Sequence, residues 1–243
     1  MEGLEQFKNR VYPFAFNSIY LDEEGQFHTG GSLPDKVDGD GHMLPYTGNT
    51  VIFLLNQGQE EERRCLIRMQ DALYGACPDM LASRLTEDTF HMTLHDLKSG
   101  PPGRVSEAEI QAAAGKAQEL LSAVTEEPWE IRMQAVCVFN MVNTSVVLGL
   151  EPCTEEDCRR LMGLYGAFEE ICPLHYPMTP HITLAYYRPG VRRREEMERL
   201  EAVFRKLREE KPVFAFRQAD LVYAEFDDMN HYRQKRFVYK RGQ

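Results

Sequence analysis

Residues 90–94 read Phe-His-Met-Thr-Leu, and residues 180–184 read Pro-His-Ile-Thr-Leu. One short pattern, His-x-Thr-Leu, therefore occurs twice, ninety residues apart. Successive side chains of a strand point to opposite faces. If each copy is a strand, His91 and Thr93 share one face, as do His181 and Thr183. The residues between and after them (Met92 and Leu94, Ile182 and Leu184) turn to the other face, into a core. Two such strands side by side would present two imidazoles and two hydroxyls to one cleft. That set suits acid–base chemistry on a phosphate.

Working outward, the pattern repeats at the level of elements. Residues 50–55 (TVIFLL) read as a buried strand, and 60–74 as a helix with Leu66, Ile67, Met69 and Leu73 on its apolar face. The first motif strand follows, over about 89–97. Ser106-x-x-Glu109 has the form of a capping box, and Ile110, Ala113, Ala114, Ala117, Leu121 and Val124 recur at helical spacing. Alternation over 131–137, a turn at 140–143 and the run 144–150 read as paired strands. Thr154, with Glu155, Glu156 and Asp157 behind it, caps another helix. The second motif strand spans about 180–187, Pro189-Gly190 breaks the chain, and a charged helix follows. Two last strands are expected near 212–225 and 235–240. Each motif strand thus follows a strand and a helix, which predicts two similar halves and an α+β fold rather than a doubly wound parallel sheet. Residues 1–43, rich in Gly, Asp, Pro and aromatics, read as an irregular, partly packed leader ahead of a domain over 44–243.

Composition narrows the function. With 43% hydrophobic and 27% charged residues among 243, the chain is long and apolar enough for a substantial core. No apolar stretch approaches the ~20 residues that span a bilayer, and MEGLEQFKNR lacks the form of a signal peptide. The six cysteines are irregularly spaced, so reduced thiols in a cytoplasmic protein are expected. A formal charge of −10 argues against coating long nucleic acid, though not against a nucleotide or an RNA end. A monomer with no membrane partner is expected. The run 35–41 invites a calcium reading, but Lys36 and Thr47 stand where that loop needs acids, so turn chemistry explains its Asp and Gly. No Gly-rich phosphate loop precedes a helix.

Imidazole titrates closest to neutrality. Of two facing imidazoles, one can take a proton from the attacking oxygen while the other gives one to the leaving oxygen, each transfer worth about 10²–10⁴-fold. Thr93 and Thr183 can donate hydroxyl hydrogen bonds to non-bridging phosphate oxygens. This chemistry needs no metal or other cofactor. A single His-x-Thr arises by chance in many chains; two copies in matching places argue for a pair.

FHMTL (90–94) and PHITLAYY (180–187) resemble the two-histidine phosphoesterase superfamily, defined by two His-x-Thr/Ser motifs with apolar flanks, one in each half of a bilobal fold. LPYTGNTVIFLL (44–55) followed by FHMTL looks like an uncharacterised, mostly bacterial branch of it. The resemblance spans roughly 44–243, matches closely only at the motifs and Gly48-Asn49-Thr50, and leaves 1–43 outside. It implies two antiparallel sheets in a pseudo-two-fold arrangement, with helices outside and a groove floored by the motif strands. Members cleave, or in reverse form, phosphoesters at RNA ends, including 2′,3′-cyclic and 2′,5′-linked ones. By position, His91 and His181 would be the acid–base pair, and Thr93 and Thr183 would hold the phosphate.

Weaker candidates surround these four. His95 is in phase with His91 and Thr93, and would reach the groove rim or simply end a strand. Tyr187 is in phase with His181 and Thr183, and would stack on a base or pack. Tyr46 and Phe53 are further stacking candidates, with core packing favoured. Arg188, with Arg192, Arg193 and Arg194, forms the densest basic cluster; it would contact substrate, or begin a solvated helix. Trp129 reads as packing and His231 as exposed. Three functions compete: a metal-independent phosphodiesterase, a hydrolase with a metal on His91, His95 and His181, and a nucleotide-binding module with little turnover.

Overall fold

The computed structural model describes residues 2–55 and 58–234. Along the chain lie α1 (Leu4–Phe16), β1 (Gln26–His28), β2 (Thr47–Leu54), α2 (Glu60–Ala76), β3 (His91–Gly100) and α3 (Glu107–Val124). Then come β4 (Glu130–Met141), β5 (Ser145–Pro152), α4 (Glu155–Glu169), β6 (His181–Tyr186), β7 (Val191–Arg193), α5 (Arg194–Leu207), β8 (Val213–Arg217), β9 (Leu221–Asp228) and β10 (His231–Gln234). Among the described residues no helix is long and apolar enough to cross a membrane, and all six cysteines are free.

The start signals work as their chemistry requires. Ser106 Oγ accepts from Glu109 N (3.3 Å), and Glu109 Oε2 accepts from Ser106 N (2.9 Å), closing the capping box of α3. Thr154 Oγ1 accepts from Asp157 N (3.1 Å) to cap α4. In the acidic run, Asp38 Oδ1 accepts from Asp40 N and His42 N, an Asx turn. Two expectations are corrected. The leader is not irregular throughout, because residues 4–16 form α1, whose Phe7, Val11 and Ala15 pack on Cys137, Phe139 and Val147. The strand expected over 212–225 is two strands. A short turn at Gln218–Asp220, held by Arg217 N donating to Asp220 Oδ2 (2.8 Å), sends β8 and β9 to opposite halves of the large sheet. The strand expected at 235–240 lies outside the described residues.

Eight strands form one antiparallel sheet in the order β10-β9-β2-β3-β6-β5-β4-β8, and β1 pairs separately with β7. The large sheet is two four-stranded halves. β3 and β6 meet at its middle through a single register pair, Met92 with Ile182. Each half pairs its own motif strand with the strand two elements earlier, β2 with β3 and β5 with β6. The linking helices reach across the join: α2, from the first half, packs on β6, while α4, from the second, packs on β3 as well as on β4 and β5 of its own half. This is the α+β arrangement of two similar halves that the repeat predicts, the halves joined by one rung into a single sheet.

The core lies between the sheet and α2–α5. Phe53 is fully buried there, its ring 5.1 Å from Phe216 and 6.1 Å from Trp129; burying such a ring is worth about 1.5–3 kcal/mol. Trp129 Nε1 donates to Val124 O (2.7 Å), closing the end of α3 onto β4. Both are packing residues.

Candidate active site

The one register pair at the centre of the sheet fixes the site. Met92 and Ile182 are fully buried toward the helices. Counting one residue either way sets His91 level with Thr183 and Thr93 level with His181. All four are half-buried and line one groove of about 720 Å³ on the other face of the sheet, a volume typical of small-molecule sites.

The two imidazoles are held identically. His91 Nδ1 lies 2.6 Å from Thr89 O, and His181 Nδ1 lies 2.7 Å from Thr179 O. A carbonyl oxygen only accepts, so Nδ1 carries the proton in each ring. Nε2 is left without a protein partner among the described residues, free to accept a proton when neutral and to donate one when charged. Burial pushes His91 down from 6.5 to about 4 against the Thr89 carbonyl, and a proton on His181 lowers it further. Burial also lowers His181, while the Asp96 carboxylate raises both. A charge on one ring thus disfavours a charge on the other, and opposite protonation states are favoured.

One feature corrects two expectations. Opposite β2, Thr93 pairs with Ile52, but Val51 pairs with His95, so Leu94 is an extra residue. Opposite β5, Thr183 pairs with Val147, but Val146 pairs with Ala185, so Leu184 is extra. Each motif therefore ends in a β-bulge, which reverses the facing of the residues next after it. His95 borders the groove from beneath rather than standing exposed at its rim. Its side chain is fully buried, with Nε2 3.1 Å from Glu169 Oε1 and the ring between Tyr165 and Phe168. Tyr187 is not available for stacking. It is fully buried, edge-on to Phe27 at 5.4 Å. In their places the bulges turn Asp96 and Tyr186 into the groove.

The bulges are supported from outside their strands. Gln70 of α2, fully buried, donates through Nε2 to Leu184 O (2.9 Å) and Leu85 O (3.2 Å), and its Oε1 accepts from Arg84 Nε (2.9 Å). The Gly48-Asn49-Thr50 stretch holds β3 beyond its motif. Asn49 Oδ1 accepts from Lys98 N (2.9 Å) where a second bulge, at Leu97, interrupts the ladder. Thr50 Oγ1 lies 3.1 Å from His95 O and 3.3 Å from Asp96 Oδ1. At Gly48 a Cβ would fall 2.4 Å from Ser99 Cβ, so only glycine allows this approach.

Of the remaining candidates, Tyr46 does line the groove. Arg188 does not. Its Nε donates to Gly39 O (2.8 Å) and its Nη2 reaches Asp40, so it pins the 38–41 turn. Arg194 begins α5 as a helix start. Among the described residues no trio of His, Cys, Asp or Glu is placed to hold a metal ion, so the three imidazoles weighed as metal ligands do not form such a set.

Several groove residues escaped the sequence reading. Tyr232 of β10 lies against His91, ring centroids 4.8 Å apart. Tyr176 OH donates to Asp96 Oδ2 (3.3 Å). Lys36, from the turn weighed for calcium, and Arg10 and Phe14 of α1 bring the leader into the wall. Val142, exposed at the mouth, has a φ of 43°, a conformation strained for a β-branched residue. It is held in place through its neighbour Asn143, whose Nδ2 donates to His28 O (2.9 Å) and whose carbonyl accepts from Gly30 N (2.7 Å).

No protein-family model matches the chain, and no curated protein matches it. Solved structures do. A conserved protein of unknown function, ATU0111 from Agrobacterium tumefaciens, superposes with a TM-score of 0.63 at 19% identity, over 86% of this chain and 92% of that one. E. coli LigT in apo form gives 0.46 at 14% identity, over 79% and 95%. A structure described as a phosphoesterase gives 0.47 at 13% identity, over 80% and 96%. The chain shares its fold with the Agrobacterium protein. Within that fold, each half supplies one His-x-Thr strand to the shared groove, and the leader adds a wall of its own.

Proposed function

We propose that the protein is a metal-independent phosphodiesterase that hydrolyses a 2′,3′-cyclic phosphate, or a 2′,5′-linked nucleotide or RNA end, by two-histidine acid–base catalysis. The observation that carries this reading is the matched pair of imidazoles. Each is locked through Nδ1 on the carbonyl two residues before it, and each leaves Nε2 free in one groove. One neutral Nε2 takes a proton from water as its oxygen attacks phosphorus. The other, protonated, gives its proton to the leaving ribose oxygen as the P–O bond breaks. The Thr93 and Thr183 hydroxyls, which make no hydrogen bond among the described residues, donate to the non-bridging oxygens. Tyr46, Tyr186 and Tyr232 offer ring faces for the nucleoside.

The test is turnover of a panel of 2′,3′-cyclic nucleotides and 2′,5′-linked dinucleotides in EDTA, with His91→Ala and His181→Ala alongside. Wild type should release product, and each variant should lose about 10²-fold or more in kcat. Turnover that appears only on adding zinc or manganese would overturn the metal-free mechanism. Tight binding without product would leave a binding module.

A further inference from the structure

We propose that Lys36 is a substrate-binding residue whose ammonium group receives a phosphate oxygen of the substrate. This rests on the phosphodiesterase reading and deepens it. Two cations line the groove among the described residues, Arg10 and Lys36. Arg10 is already committed: its Nε and Nη2 donate to Glu2 (2.9 and 2.7 Å) and its Nη1 to Met178 O (2.8 Å). Lys36 is not. Its ammonium lies 4.8 Å from the ring centre of Tyr46 and 6.0 Å from that of Tyr186, and it makes no hydrogen bond or ion pair among the described residues.

Ring faces attract a cation, so the two tyrosines hold the charge inside the groove without neutralising it. Burial lowers its proton affinity, while the more distant carboxylates of Asp96, which also acts on both histidines, and Asp35 raise it. The backbone that carries it is fixed. Leu44 N donates to Lys36 O (2.8 Å), Lys36 N donates to Leu33 O (2.9 Å), and Arg188 ties down the turn that follows. A desolvated cation with no direct hydrogen-bond or ion-pair partner is unfavourable. An arriving oxyanion would supply the missing partner at little ordering cost. The phosphate so bound is either the scissile one or a second phosphate on the same nucleotide.

The test uses the full chain carrying His181→Ala, which keeps the probes intact, and reads Kd by calorimetric titration. The probes are adenosine 2′,3′-cyclic phosphate and the same compound bearing a 5′-phosphate. Lys36→Met should weaken binding by about 10- to 100-fold, the range of a charge-assisted hydrogen bond, and should flatten its salt dependence. Lys36→Arg should restore most of it, and Tm should not fall in either variant. A loss equal for both probes assigns Lys36 to the scissile phosphate; a loss confined to the 5′-phosphorylated probe assigns it to the second. Unchanged Kd in Lys36→Met, or equal weakening in Lys36→Met and Lys36→Arg, would overturn the proposal. Absence of turnover by the wild-type chain would count against the phosphodiesterase reading alone, since binding is measured separately.

Discussion

His91 and His181 differ from ordinary surface histidines in that burial lowers both, and Asp96 partly opposes that drop. The proposed mechanism needs one ring charged and the other neutral, so kcat/KM should follow a bell against pH. Because both rings bind protons less readily than free imidazole, both limbs should lie below about 6.5, with the maximum on the acid side of neutrality. Asp96→Asn removes a negative charge that favours both imidazolium forms. Both limbs should then move to lower pH; a profile that stayed in place or moved up would show that Asp96 does not act on the pair. The motif residues were legible from their types and spacing alone. Asp96 was not, because reading it requires the strand to be counted with one residue too many. Lys36 was legible only as a poor calcium ligand, since what gives it meaning is the pair of tyrosine rings brought over it from β6 and the start of β2.

The elements with clear periodicity or caps, such as α3 behind Ser106 and α4 behind Thr154, could be placed from sequence within a residue or two. The phase of a strand past its motif could not. Period-two alternation carries through a bulge unnoticed, and the one-residue slip exchanged His95 for Asp96 and Tyr187 for Tyr186. Gln70 tests how the bulge is kept. Gln70→Met would leave the Leu184 and Leu85 carbonyls without their buried donor and Arg84 Nε without its Gln70 acceptor, which should cost about 1–3 kcal/mol. Denaturant unfolding should show that loss, and activity should drop with it because Tyr186 is aimed by the same bulge. Val142 tests the opposite case. Asn tolerates a positive φ, so Val142→Asn should relieve strain and raise stability by about 1 kcal/mol, visible as a higher Tm. A lower Tm would mean that the side chain packs rather than strains.

At the scale of the molecule, the duplication was readable from two motifs set in matching runs of strand and helix. The way the halves join was not, since no local pattern reports the crossing of α2 onto β6 and α4 onto β3. Nor did the leader's aromatics reveal that α1 would cover Phe139 and set Arg10 and Phe14 into the groove wall. The single pair between Met92 and Ile182 has a mechanical meaning. A full ladder resists sliding at every rung, whereas one rung works as a pivot. The gap between the two imidazoles is therefore gauged by how the crossed helices press on the sheet, and not by its hydrogen bonds. Packing loosens with heat before ladders break. Catalysis should thus fade several degrees below the melting of the fold, and a scan of activity beside circular dichroism would register the interval; coincident curves would mean the pivot is as stiff as the halves it connects.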